Sequence, residues 1–293
     1  MLFDLLAAGA NSGLATRLQK LTGLEVHAAF ADQPLQALRQ CTSLTHLDIS
    51  GSDQQDCLAS GPAAALQAMH RLTRLHMCSG DLQCPDMMAA FASALQPLTQ
   101  LQHLHLARCR LGEAVLAALA PALSAMPGLQ ALDVGNNRLS DEAGAKALCT
   151  LVGAVPGLTH LDVSFSRFQD EGAALLAPVL RGMTRLQPLN MCGALTSDNG
   201  MALLAPALAA LPRLCMLDLS CNQLGTSAAS ALQHVLAGEG SPLRVLKLSS
   251  NVFLREGASG LSTAARLQGL DIRYTRLWPQ RAAACRHLCS RLS

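Results

Sequence analysis

The chain has 293 residues, half of them hydrophobic and 14% charged, with a formal net charge of +2. So little charge beside so much apolar content excludes a largely disordered chain. Aromatic residues at 3% and a near-neutral balance leave neither stacking platforms nor a basic field for nucleic acid.

Residues 1–20 read as an N-terminal helical cap, in which Leu2, Phe3, Leu5, Leu6, Leu14 and Leu18 can cover a first strand. Asp4 stands where a secretory leader carries Lys or Arg, and no run of 18 apolar residues follows, so neither export nor a membrane contact is expected. The eleven cysteines form no C-x-x-C pair and are odd in number. That usage fits a reducing compartment, so the cytoplasm is expected, with the nucleus open. A degenerate repeat, Leu21-Thr22-Gly23-Leu24-Glu25-Val26, comes next. The string L-x-x-L-x-L, with Val, Ile or Met allowed last, then recurs nine times from Leu44 to Ile272. Its first leucines stand 28, 29, 28, 29, 28, 28, 29 and 24 residues apart. A register held over most of a chain predicts a solenoid over residues 21–277, of about ten repeats with period 28/29.

Each period divides in two. The L-x-L part alternates apolar and polar residues, as a strand with one buried face does. Eight residues after the first leucine stands a small polar residue: Ser52, Cys109, Asn137, Ser166, Asn222, Asn251 or Thr275. Buried there, it can bond turning backbone that would otherwise be orphaned. Gly80 and Ala194 cannot, so looser turns are expected at those two. An apolar residue follows two positions on. The rest of the period reads as an amphipathic helix: Ser140 suits an N-cap, Asp141 and Glu142 the first turn, and Leu148, Leu151 and Val152 one buried face. Further helices are expected over Gln169–Pro178 and Ser197–Pro212, with Pro127, Pro156, Pro212 and Pro242 as stops. Pro188 has no N–H to give a central ladder, which predicts a late-starting strand or a kink there. Residues 278–293 read as a C-terminal capping helix with Cys285, Leu288, Cys289 and Leu292 inward.

A period alternating between 28 and 29, built of strand and full helix with Asn or Cys at the turn, resembles the ribonuclease-inhibitor-like subtype of leucine-rich repeat. The resemblance implies an α/β leucine-rich-repeat solenoid: a curved horseshoe with a parallel β-sheet on the concave face and helices on the convex face. Strands need about 4.8 Å each and packed helices about 8–10 Å, which forces such a curve. It also implies a bare sheet face that serves as a binding surface.

If Leu47 and Ile49 point inward, the residues between them face the cavity. One row holds His46, Arg74, His103 and His160; the next holds Asp48, His76, His105, Asp133, Asp162 and Asp218. His27 of the degenerate copy joins them. His76, His103 and His105, with Asp48 or Asp133, offer zinc-type ligands, but flat sheet positions converge poorly on a tetrahedral ion and repeats copy a Leu-Thr-His-Leu phrase wholesale. No metal and no cofactor are therefore expected. The Asp row offers an acidic stripe to a basic partner. Arg110, Arg138 and Arg167, nine positions after successive first leucines, with Arg108 nearby, offer a basic rim to carboxylates. Phe165 and Tyr274 are the aromatics placed to anchor an interface.

No P-loop, nucleophile elbow, zinc-protease motif or dinucleotide fingerprint occurs. The expectation is a non-catalytic, monomeric scaffold that binds another protein through the concave face and adjacent rim. The resemblance also implies two alternatives, a GTPase activator like that acting on Ran and a protein inhibitor of an enzyme.

Overall fold

The computed structural model describes residues 17–25, 38–50, 61–78, 82, 85–137, 139, 141–237, 241–253, 261 and 267–273. Residues 1–16 of the cap expected at 1–20, the cap expected at 278–293, and His27, Ser52, Gly80, Arg138, Ser140, Tyr274 and Thr275 lie outside them, and Lys20, expected in the first cap, begins a strand instead. The chain forms two units, residues 1–138 with 150–155 and residues 139–149 with 156–293.

In the first unit five strands run parallel in chain order: β1 (Lys20–Glu25), β2 (His46–Ser50), β3 (Arg74–Cys78), β4 (His103–His105) and β5 (Ala131–Asp133). Between them lie α1 (Gly61–Leu66), α2 (Pro85–Leu95) and α3 (Glu113–Ser124), packed in succession. The alternation read from sequence sets the faces. Leu47, Ile49, Leu75, Met77, Leu104 and Leu132 are buried, while His46, Asp48, Arg74, His76, His103, His105 and Asp133 beside them stay at least partly open and only Ala131 among the described neighbours is buried as well. The degenerate repeat does form a strand, but not in the common frame. Leu21 lies opposite Leu47 and Leu24 opposite Ile49, so β1 carries one extra residue as a bulge.

The helix α4 (Glu142–Gly153) is divided between the units at residues 149 and 150. It starts one residue later than the sequence suggests. Asp141 takes the cap, its Oδ1 accepting the Gly144 N–H at 2.8 Å.

In the second unit β6 (His160–Asp162), β7 (Pro188–Asn190), β8 (Met216–Asp218), β9 (Val245–Lys247) and β10 (Gly269–Asp271) are again parallel in chain order. Three packed helices alternate with them, α5 (Gln169–Leu180), α6 (Asp198–Ala209) and α7 (Thr226–Ala237). Pro188 neither delays nor breaks its strand. Elsewhere two consecutive amides share one carbonyl at the strand start, as Cys215 and Met216 share that of Gln187. At β7 only Gln187 N reaches Thr159 O, and pairing with β6 begins at Leu189, so the proline omits one bond and keeps the register. The expected helix end at Pro178 is also corrected. Pro121, Pro178 and Pro206 lie inside α3, α5 and α6, each within the last four residues and exposed, and Pro212 lies beyond the end of α6. Ser197 caps α6 as its sequence suggests, accepting the Asn199 N–H.

The turn position does what its chemistry allows. Asn137 Nδ2 donates to the carbonyls of Leu106, Val134 and Gly135, and its Oδ1 accepts from Leu111 N. Asn222 and Asn251 repeat the pattern, and Cys109 Sγ donates to Met77 O at 3.2 Å. Ala194 does not leave a looser turn. Its methyl is fully buried and its carbonyl accepts Gln169 N at 3.0 Å.

Candidate functional site

Parallel sheets ordinarily bury both faces. In each unit here the face turned away from the helices carries polar rows, because the strands alternate and, among the described residues, only one set of side chains has a helix to meet. In the first unit the residues four after the first leucine stand in the order Asp48, His76, His105, Asp133 on β2 to β5, in direct register. His76 Nδ1 lies 3.3 Å from Asp48 Oδ1, and His105 Nδ1 lies 3.4 Å from Asp133 Oδ2. The two imidazole rings stand between their acids with centroids 5.3 Å apart and planes at 59°. Both histidine side chains are 42% exposed. Two residues earlier on these strands run His46, Arg74, His103 and Ala131, of which Ala131 is buried. Desolvation lowers the His46 pKa, and the charges of Lys20 and Arg74 lower it further.

In the second unit the corresponding row is Asp162, Asn190, Asp218, Lys247 and Asp271. Here the acidic stripe is already engaged. Oδ1 of Asp162, Asn190, Asp218 and Asp271 each accepts the N–H two residues on, which ends the strand in an Asx turn; Asp133 does the same in the first unit. The second oxygen reaches sideways: Asp162 accepts from Asn190 Nδ2 at 2.7 Å, and Asp218 pairs with Lys247 Nζ at 3.3 Å. The hydrogen bond from Arg273 holds the Asp271 carboxyl below its ordinary pKa, against a smaller effect of burial. His160 is exposed at the head of β6.

Beyond the strands lies a feature that sequence reading missed. Among the described residues, the position seven after the first leucine adopts left-handed backbone: Arg108, Asn136, Phe165, Gly193, Cys221 and Ser250 have φ between 52° and 65°. Their side chains share no chemistry, so the type gives no signal; the cause is the backbone. The turn aims the N–H of Arg108, Phe165, Gly193, Cys221 and Ser250 at the carbonyl of Gly135, Cys192, Ser220, Ser249 or Arg273 in the following repeat. The expected arginine rim belongs to this turn. Arg108 and Arg167 are exposed, Arg110 is half-buried, and all three have positive φ. Phe165 is 46% exposed, and its ring lies against Gly193 so closely that a Cβ there would overlap it.

The cysteines are free thiols among the described residues. Burial pushes the Cys149 pKa up to about 11. Cys192 is pushed up to about 12, by burial first and then by Cys221, Asp218 and Asp162.

Three segments, 127–149, 158–177 and 217–232, match a family model described as Leucine Rich repeat. They span β5 and the turn into α4, β6 into α5, and β8 into α7. No curated protein matches the chain. Among solved structures, an internalin (InlF) from Listeria monocytogenes aligns over 100% of this chain and 92% of its own, with 18% identity and a TM-score of 0.44. No helix among the described residues is long and apolar enough to cross a membrane.

Proposed function

We propose that this run of leucine-rich repeats is a non-catalytic scaffold that binds another protein through the open sheet face and the turns beside it. The reading rests on one observation: within each unit, polar and charged rows stand on a parallel-sheet face that no helix among the described residues covers. In the first unit that surface comprises His46, Asp48, Arg74, His76, His103, His105, Arg108, Arg110 and Asp133. In the second it comprises His160, Asp162, Phe165, Arg167 and Asp218.

Two features support the residues chosen. Arg108, Arg110 and Arg167 stand on the left-handed turns beside the sheet, where their guanidinium groups suit pairing with carboxylates. Phe165 is an exposed aromatic braced on Gly193, the kind of side chain that anchors an interface. The period of 28 and 29, with helices of 11 or 12 residues from α2 to α7, favours the ribonuclease-inhibitor-like subtype, and the cysteine usage favours the cytoplasm or nucleus. The acceptor is accordingly a protein with carboxylates set against the arginines, bound by a monomer.

The test is capture of partners from a cytosolic extract by the wild-type chain, followed by affinity measurement with Arg167→Glu and Phe165→Ala. A partner that uses this surface loses at least about tenfold in affinity with either variant, since an interface anchor is worth more than about 1.4 kcal/mol. Partners that bind both variants as they bind the wild type overturn the assignment.

A further inference from the structure

We propose that His76 and His105 together bind one divalent transition-metal ion of the zinc class through their Nε2 atoms. The argument starts from the order of the row. Each imidazole turns Nδ1 outward to its own carboxylate, His76 to Asp48 on one side and His105 to Asp133 on the other. Nδ1 and Nε2 are separated by one ring carbon and point widely apart, so with each Nδ1 turned to its outer carboxylate the proposed ion takes the two Nε2 atoms on the side of the interval between the histidines. Two imidazoles sharing a tetrahedral ion at about 2.0–2.1 Å per bond hold their centroids about 5.2 Å apart. The observed separation is 5.3 Å.

The carboxylates supply what a ligating histidine ordinarily needs from behind. An acceptor at Nδ1 fixes the proton there, leaves the lone pair on Nε2 and makes that nitrogen more basic. With both imidazoles neutral, the two acids also contribute two negative charges beside a divalent cation. Arg74, two residues before His76, and Lys20 beyond it oppose this, so the site is one of moderate affinity. Sequence reasoning cast the acids as ligands and discounted convergence on a flat sheet. The geometry gives them the outer places instead and lets the rings converge. Among the described residues no three His, Cys, Asp or Glu are grouped to hold an ion. The histidines therefore supply two ligands, and water completes the tetrahedron. The inference does not depend on the scaffold reading.

The experiment is titration of the full chain with Zn2+, followed by the side-chain nitrogen resonances of its histidines. Nε2 of His76 and His105 should shift together along one saturable curve. His76→Gln should weaken the response of His105 by about tenfold or more, because a second-nitrogen ligand is lost. Asp133→Asn tests the positioning role. The turn survives it, since Asn190 already holds the equivalent turn in the second unit. The variant should shift the tautomer balance of His105 toward Nε2–H and weaken Zn2+ about tenfold. Unchanged thermal midpoints certify the fold of each variant. Absence of both shifts at millimolar Zn2+, separate midpoints for the two rings, or an undisturbed His105 curve in His76→Gln overturns the proposal. Zinc taken up by the cysteines leaves both histidine curves flat and counts as that first outcome.

Discussion

Asn222 makes four hydrogen bonds with one side chain: Nδ2 donates to Met191 O, Leu219 O and Ser220 O, and Oδ1 accepts from Thr196 N. It is almost wholly buried, so water cannot replace it. Asn222→Ala should cost about 2–4 kcal/mol in denaturant unfolding, because several backbone groups are left without partners. A loss below about half a kcal/mol would mean that the backbone finds partners of its own, as it does at Ala194. A second residue-scale prediction concerns Gly193, at φ 65° beneath the Phe165 ring. Gly193→Ala should cost about 1–2 kcal/mol from left-handed backbone, plus the displacement of the ring. Adding Phe165→Ala should remove the second part, and a double-mutant cycle measures it. Coupling indistinguishable from zero would show that the ring does not rest on the glycine. The asparagine was legible in the sequence because its chemistry names the task. The left-handed position was not, since Arg, Phe, Cys and Ser hold it as well as Gly and Asn.

Between elements, the acids at helix starts do more than complement a dipole. Asp170 in α5 accepts from both the backbone N and the hydroxyl of Ser197, which caps α6. Asp198 in α6 accepts from Gly225 N, Ser227 N and Ala228 N, at the start of α7. Each helix in this part of the second unit thus holds the exposed amides of the next. Asp198→Ala should cost about 1–3 kcal/mol by urea unfolding, and Asp198→Asn less, since one oxygen can still accept. Equal losses for the two variants would place the effect in charge rather than in the bonds. The expected helix spans from Gln169 and from Ser197 include these acids, yet their partners lie about one period away and periodicity alone does not reveal them. The helical prolines went unread for a related reason. Near a helix end and facing water, Pro121 and Pro206 release the carbonyls of Ala117 and Ala202 to solvent, so the usual interior penalty is reduced.

At the scale of the molecule, low charge and high apolar content make sense if the polar groups are concentrated on one sheet face and the turns. Alternation within L-x-L fixed which residues reach that face, because a strand has only two sides. It did not fix what they do there. The Asp row reads in sequence as a free acidic stripe, but each carboxylate in the second unit first terminates its own strand and then meets a neighbour. The histidines read as scattered copies, but register seats two of them side by side between acids. These pairings depend on which strand lies next to which, information that no single repeat contains. If this face is the binding surface, a photo-crosslinking residue at His103 in the first unit or Met216 in the second should link to a captured partner. The same residue at Ala117 on α3 or Ala202 on α6, both exposed, should not, because those side chains stand on the helical side. Links from Ala117 and Ala202 with none from His103 or Met216 would transfer the binding surface to the helices, and with it the meaning of every charge on the sheet.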